Sequence, residues 1–188
     1  LTPNTLKIDV DQGLFRRTFY INEALLVPRS QYFAKMLQGA WTEAHTKEVS
    51  IPHQDARIFA LYEKVVIYGA VAALDTRPGR WEYERMVKLY LLAQYLQDDE
   101  AREAAANAIQ CKVKHECEIM RISKPCLPPA SAIREMWELT PNHCLGRQAI
   151  LGCFLWYGSA SEAFGIEDVP LEFIYSMYSC MLAHRLPP

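Results

Sequence analysis

EALLVPRSQYFAKMLQGAW, residues 23–41, is an amphipathic pattern broken once in the middle, and its punctuation sets the fold. Asn22 can cap a first short helix carrying Ala24, Leu25 and Leu26, because its side-chain oxygen accepts from the otherwise unpaired amides of a first turn. Pro28 interrupts that helix, having no amide to donate and a ring that crowds the preceding turn. Ser30 can cap a second helix carrying Tyr32, Phe33, Met36 and Leu37, and Gly39 suits its C-terminal stop. The stretch predicts a helical hairpin, and it contains no catalytic group.

On its N-terminal side, Leu6, Ile8 and Val10 alternate with polar neighbours, Asp11-Gln12-Gly13 can turn, and Phe15, Arg17, Phe19 and Ile21 alternate again. Residues 5–21 therefore read as a β-hairpin. On its C-terminal side, Val49 and Ile51 mark a short strand over 48–52 that would join the first two. Asp55 then caps a helix whose buried stripe is Ile58, Phe59, Tyr62, Val65 and Val66, stopped by Gly69. Residues 70–80 form a loop by composition, and residues 81–96 carry a wide apolar arc of Tyr83, Met86, Val87, Leu89, Tyr90, Ala93 and Leu96. Asp98 or Asp99 caps an alanine-rich helix over 100–114, where Ala101, Ala104, Ala105 and Ala108 allow close approach of a neighbour. Beyond the proline-rich break at 124–129, three helices follow: one around Ile133, Met136 and Trp137, one over 145–157, and one over 171–182 after Pro170. The expected class is α+β, with a small sheet flanked by helices over residues 1–114 and an all-helical extension over 115–188. The extension's apolar faces are too large to leave in water, so it is expected to pack on the first part.

Half of the 188 residues are hydrophobic and 22% are charged, which is ordinary for a folded domain and excludes a disordered chain. Twenty basic against 22 acidic residues leave a net charge of -2, so no positive field invites a phosphate backbone, and no direct nucleic-acid partner is expected. The sequence has no run of about 18 apolar residues and no basic segment followed by an apolar one, so neither a membrane span nor a signal peptide is read. Because residue 1 is Leu, that reading covers only the sequence as given. The expected location is intracellular, in nucleus or cytoplasm. Six cysteines lie in the second half, at least five inside apolar helical patterns, where a free thiol behaves as a small hydrophobe. They are expected to be reduced.

The spacing of Leu25-Leu26, Ser30, Tyr32-Phe33, Met36-Leu37, Gly39 and Trp41-Thr42-Glu43 resembles the BTB/POZ domain, in the divergent branch abundant in filamentous fungi. LYLLAQYLQDDEAREAAANAI, residues 89–109, resembles the segment that closes the core of that domain. AIREMWELTPNHCLGRQAIL, residues 132–151, resembles a segment that follows the core in fungal members, through Trp137, Thr140-Pro141 and Leu145-Gly146-Arg147. The resemblance implies a non-catalytic protein–protein interaction module that self-associates, as a homodimer, or joins another protein to a larger assembly. A narrower alternative is a substrate adaptor of a cullin-RING ubiquitin ligase. In that class an apolar-x-acid triplet after the second short helix helps hold the cullin scaffold, which here gives Trp41 as apolar anchor and Glu43 as its charged companion. The competing reading is that Trp41 packs on the helical hairpin and Glu43 is a solvated loop acid.

A second alternative is a metal-dependent enzyme. Cys111, His115, Cys117 and Cys126 form C-x3-H-x-C-x8-C, and the first two lie one helical turn apart, but the spacing fits no standard zinc module. Helical spacing sets Cys111 beside core positions, which favours a structural cysteine and a surface histidine. His143-Cys144 are neighbours in sequence only, and neither a nucleophile elbow nor a Gly-rich phosphate loop is present. No catalytic residue, no cofactor and no bound metal are expected. The run Glu82, Glu84, Arg85 and Lys88 reads as a solvated helix face.

Overall fold

A computed structural model of the chain describes residues 4–11, 13–38, 45–71, 81–158 and 169–185. It is an α+β structure of one three-stranded mixed sheet and eight α-helices among the described residues. Two compact units divide it, residues 1–72 with 88–104 and residues 73–87 with 105–188, so the division falls inside two helices rather than between elements.

In the first unit the strands are β1 (Thr5–Val10), β2 (Arg17–Asn22) and β3 (Glu48–Ile51), in the order β2-β1-β3. β1 runs antiparallel to β2, with Ile8 opposite Phe19, and parallel to β3, with Ile8 opposite Val49. The alternation read from the sequence turns Leu6, Ile8, Val10, Phe19, Ile21, Val49 and Ile51 to the buried side. The turn between β1 and β2 holds a 3-10 turn at Gly13–Phe15, and Asp11 takes a left-handed conformation at φ 72°, which short polar residues tolerate. Gln12 lies outside the described residues.

The hairpin of short helices follows as expected: α1 (Glu23–Leu26), capped by the Asn22 side chain on the Ala24 amide, then α2 (Gln31–Gln38). Of its apolar residues only Leu26 and Phe33 are fully buried, while Leu25 is exposed. The proposed stop at Gly39 lies outside the described residues. α3 (Ala56–Tyr68) starts on Asp55, whose carboxylate accepts from the Arg57 amide, and ends at Gly69 with φ 73°. That left-handed turn costs glycine nothing and would strain any side chain. Phe59 carries the contact from α3 to the sheet, its ring 4.8 Å from that of Phe19 and 5.5 Å from that of Tyr62. The second half of α4 (Trp81–Tyr95) adds Leu89, Tyr90, Leu92 and Ala93 to this core, with Leu96 just beyond its end.

In the second unit, the rest of α5 (Asp99–Lys114) runs into a π-helical turn at His115–Ile119. After the proline-rich break come α6 (Ala130–Leu139), α7 (Leu145–Tyr157) and α8 (Leu171–Arg185). These three pack on one another around Trp137, Phe154 and Phe173, whose rings meet edge to face at 5.1 and 5.3 Å, the geometry the aromatic quadrupole prefers.

The cysteines depart from the sequence expectation. All six are free, but only Cys153 is buried, Cys111 is exposed, and the other four are half-buried. A helical position next to a core stripe is a flank, and a flank residue can face water.

Candidate functional site

Three polar clusters lie among the described residues, and each can be built from its helix termini upward. The first closes the helical hairpin. α4 ends when Gln97 turns left-handed at φ 52°, and Asp98 follows as the cap of α5, its Oδ1 accepting from the Ala101 amide at 2.9 Å. The same carboxylate receives Arg29 Nε at 2.8 Å and the Tyr62 hydroxyl at 2.9 Å on Oδ2. Ser30, the residue before α2, donates its hydroxyl to the Leu96 carbonyl at 2.7 Å. Arg29, Ser30 and Asp98 thus fix the start of α2 to the junction of α4 and α5, with the Asp98 side chain fully buried. Burial, and after it the negative charge of Asp98, pushes the Tyr62 phenol far above its ordinary value, so it serves only as a donor. Of this cluster the sequence reading found Ser30 and placed the α5 cap at Asp98 or Asp99, of which Asp98 accepts from the Ala101 amide. It missed Arg29, which stands between Pro28 and the cap with no periodicity to mark it.

The second cluster overturns the reading of Glu82 as part of a solvated face. Glu82 is buried, and its Oε2 lies 2.5 Å from Lys112 Nζ. Lys112 also donates to Glu116 Oε1 at 2.9 Å and lies 5.5 Å from the Tyr83 ring centroid. Glu116 Oε2 accepts from the Cys126 amide at 2.6 Å, and the Tyr83 hydroxyl donates to the Cys126 carbonyl at 2.8 Å. Burial alone would drive the Lys112 ammonium down, but the hydrogen bonds to Glu82 and Glu116 outweigh it and raise its pKa. A signal was present in the sequence: Ile109, Lys112, Val113 and Glu116 follow the i, i+3, i+4, i+7 spacing of a buried stripe, so two charges occupy stripe positions. The rest of the run does stand nearer to solvent, with Glu84 accepting from the Ser131 hydroxyl and Lys88 exposed.

The third cluster gathers the residues singled out in the 132–151 segment. Arg147, on the first turn of α7, is buried and donates to the carbonyls of Trp137 and Thr140, to Thr140 Oγ1 at 3.1 Å, and to Asn142 Oδ1. Its guanidinium lies 5.2 Å from the Trp137 ring centroid. Thr140 in turn donates to the Met136 carbonyl, and Cys144 caps α7 through the Arg147 amide. The fork of Arg147 therefore satisfies the last carbonyls of α6, a task lysine's single ammonium cannot share out. A cleft of about 520 Å³ opens beside it, lined by Arg134, Trp137, Asn142, Arg147, Pro170 and Glu172 among others.

None of the three clusters pairs a nucleophile with a base. Cys153 is sealed in the core, and burial pushes its thiol up to about 12, which keeps it protonated. Among the described residues, no three His, Cys, Asp or Glu side chains converge to hold a metal ion; Cys111 and His115 are both exposed and Cys126 is engaged through its backbone. Trp41 and Glu43, the two residues assigned to a protein contact, lie outside the described residues. No helix among the described residues is long and apolar enough to cross a membrane. No family model matches the chain, and no curated protein sequence matches it.

Proposed function

We propose that this chain is a non-catalytic protein–protein interaction module of the BTB/POZ kind, built to associate with itself or to join a larger assembly. The observation that supports this best is the direction in which its side chains are spent. Asp98, Lys112, Glu116 and Arg147 are buried and used to hold helix ends, while large apolar side chains stand outside: Phe15, Tyr68, Trp156 and Tyr175 are each more than 65% exposed. Polar groups committed to structure do no chemistry, and exposed aromatic surface is what protein interfaces use. The order of elements supports the BTB reading: a strand hairpin, two short helices, a third strand returning beside the first, then helices.

Affinity purification of the tagged chain from its own cells, followed by mass spectrometry, tests this reading. The expected result is stoichiometric recovery of a protein partner or of an untagged copy. Recovery of neither, together with stoichiometric zinc or iron by elemental analysis, overturns it in favour of a metal enzyme. The narrower cullin-adaptor proposal turns on Trp41 and Glu43, and Glu43→Lys is its probe. That variant should melt at the same temperature as the unmodified chain and lose cullin in a pulldown, because it opposes the partner's charge. Equal cullin capture by both proteins, or none by the unmodified one, removes the adaptor proposal alone.

A further inference from the structure

α8 turns apolar side chains to most of its circumference, with Glu172, Ser176 and Ser179 on one narrow polar strip. Between Glu172 and His184 the sequence FIYSMYSCMLA holds eleven residues without a charge, and a wide apolar helix face is normally covered. Among the described residues one side is covered: Phe173 is buried against Trp137 and Phe154, and Met177 and Cys180, on the same side of the helix, are half-buried. The other side carries Leu171, Ile174, Tyr175, Tyr178, Met181 and Leu182, between 44% and 68% exposed. At 100° per residue these six fall within an arc of about 120°, one continuous stripe along three turns.

We propose that this stripe is a homodimer interface, α8 against α8 of a second copy across a two-fold axis. The proposal rests on the interaction-module reading and names its partner. Two features select a second copy over a different protein. The first is area: the six exposed fractions, applied to ordinary whole-residue areas, amount to about 700 Å², close to the ~800 Å² that each partner contributes to a stable interface. The second is charge. A stripe with no charged side chain offers a foreign partner nothing to complement, whereas it matches itself, and the cores of homodimer interfaces are depleted of charge in the same way. An antiparallel crossing opposes the two helix dipoles favourably and sets Tyr175 against Tyr178 of the partner subunit, with Leu171 against Leu182 of the partner subunit.

Sedimentation of the whole chain at about 20 µM, well above the Kd expected of a standard-size interface, tests the proposal. The unmodified protein should run at twice its 21.6 kDa, and Tyr178→Glu should run at 21.6 kDa with unchanged helical circular dichroism. If a carboxylate at 178 unsettles the helix, the double variant Tyr178→Ser with Leu182→Ser asks the same question, and it too should be monomeric. An unmodified chain that runs as a monomer, or as a trimer or larger, overturns the proposal, as does a dimer that the folded variants leave intact. The two readings fail separately: a monomer that still captures a protein partner removes the α8 interface and leaves the interaction module standing.

Discussion

Asp98 is the residue on which most structure converges, since one carboxylate caps α5, holds Arg29 and receives Tyr62 with no exposed surface. Asp98→Ala should cost about 3 kcal/mol in urea unfolding, because it removes the α5 cap and leaves the buried Arg29 guanidinium to the longer contacts with Glu100 and the Val65 carbonyl, and Tyr62→Phe should cost about 1 kcal/mol. Asp9 gives a pH signature in the sheet. Hydrogen bonds from Thr18 Oγ1 and Arg16 hold its carboxyl below the ordinary 3.8. A depressed folded pKa contributes stability above the unfolded value and loses it as pH falls through the folded one. Asp9→Asn should therefore be less stable than the unmodified chain at pH 7, and the gap should narrow only as pH falls below the ordinary 3.8, in paired melts across that range. Thiol labelling separates the cysteines: in the native protein a maleimide should modify the exposed Cys111 first and leave Cys153 until unfolding, read by peptide mass.

At the scale of elements, the buried ions join segments that hydrophobic periodicity treats as separate. Lys112 on α5 meets Glu82 on the first turn of α4 and Glu116 in the π turn, and Glu116 then fixes the backbone at Cys126. Lys112→Met should cost about 3–5 kcal/mol, because two buried carboxylates lose the cation they share, whereas exposed Lys88→Met should cost under about 0.5 kcal/mol. The pH dependence follows from the sign of the shift. A raised ammonium pKa contributes stability fully below the unfolded 10.5 and loses it as pH rises through the folded value, so the gap between Lys112→Met and the unmodified chain should narrow only above about pH 10.5. Chemical denaturation at pH 7, 9.5 and 11 checks it. Elements themselves were legible where a cap and a stripe agree: Asn22, Asp55 and Gly69 sit at the ends the sequence gives them, because capping satisfies amides and carbonyls within a few residues. The buried state of Glu82 was not legible from its own neighbourhood, since Glu84, Arg85 and Lys88 form a plausible solvated face and the deciding partner lies thirty residues away.

For the whole molecule, the proline-rich segment at 124–129 reads in sequence as a place where the chain could be cut. Pro125, Leu127 and Pro128 are buried, however, and the Cys126 backbone is bonded on both its amide and its carbonyl. A protease of broad specificity should therefore cut it slowly, and rapid cleavage there into two separately folded pieces would contradict both this accounting and the expected packing of residues 115–188 on the first part. The sequence by itself determined what is local. Alternation of apolar residues set the three strands, 3.6-residue stripes set the helices, and Asn22, Ser30, Asp55 and Gly69 set helix ends before residue 70, because each depends on contacts within a few residues or on one buried face. Tertiary structure alone decided what depends on pairing across the chain. β3 lies parallel beside β1 rather than at the free edge of β2, Arg29 finds Asp98, Lys112 finds Glu82, and Arg147 caps the carbonyls of α6. Glu82, read among Glu84, Arg85 and Lys88, carried no mark of burial until Lys112 was brought to it. α8 is covered along Phe173 and open along Tyr175 and Tyr178 among the described residues for the same reason: a stripe declares that it needs a partner, and the folded neighbours decide whether one has been supplied.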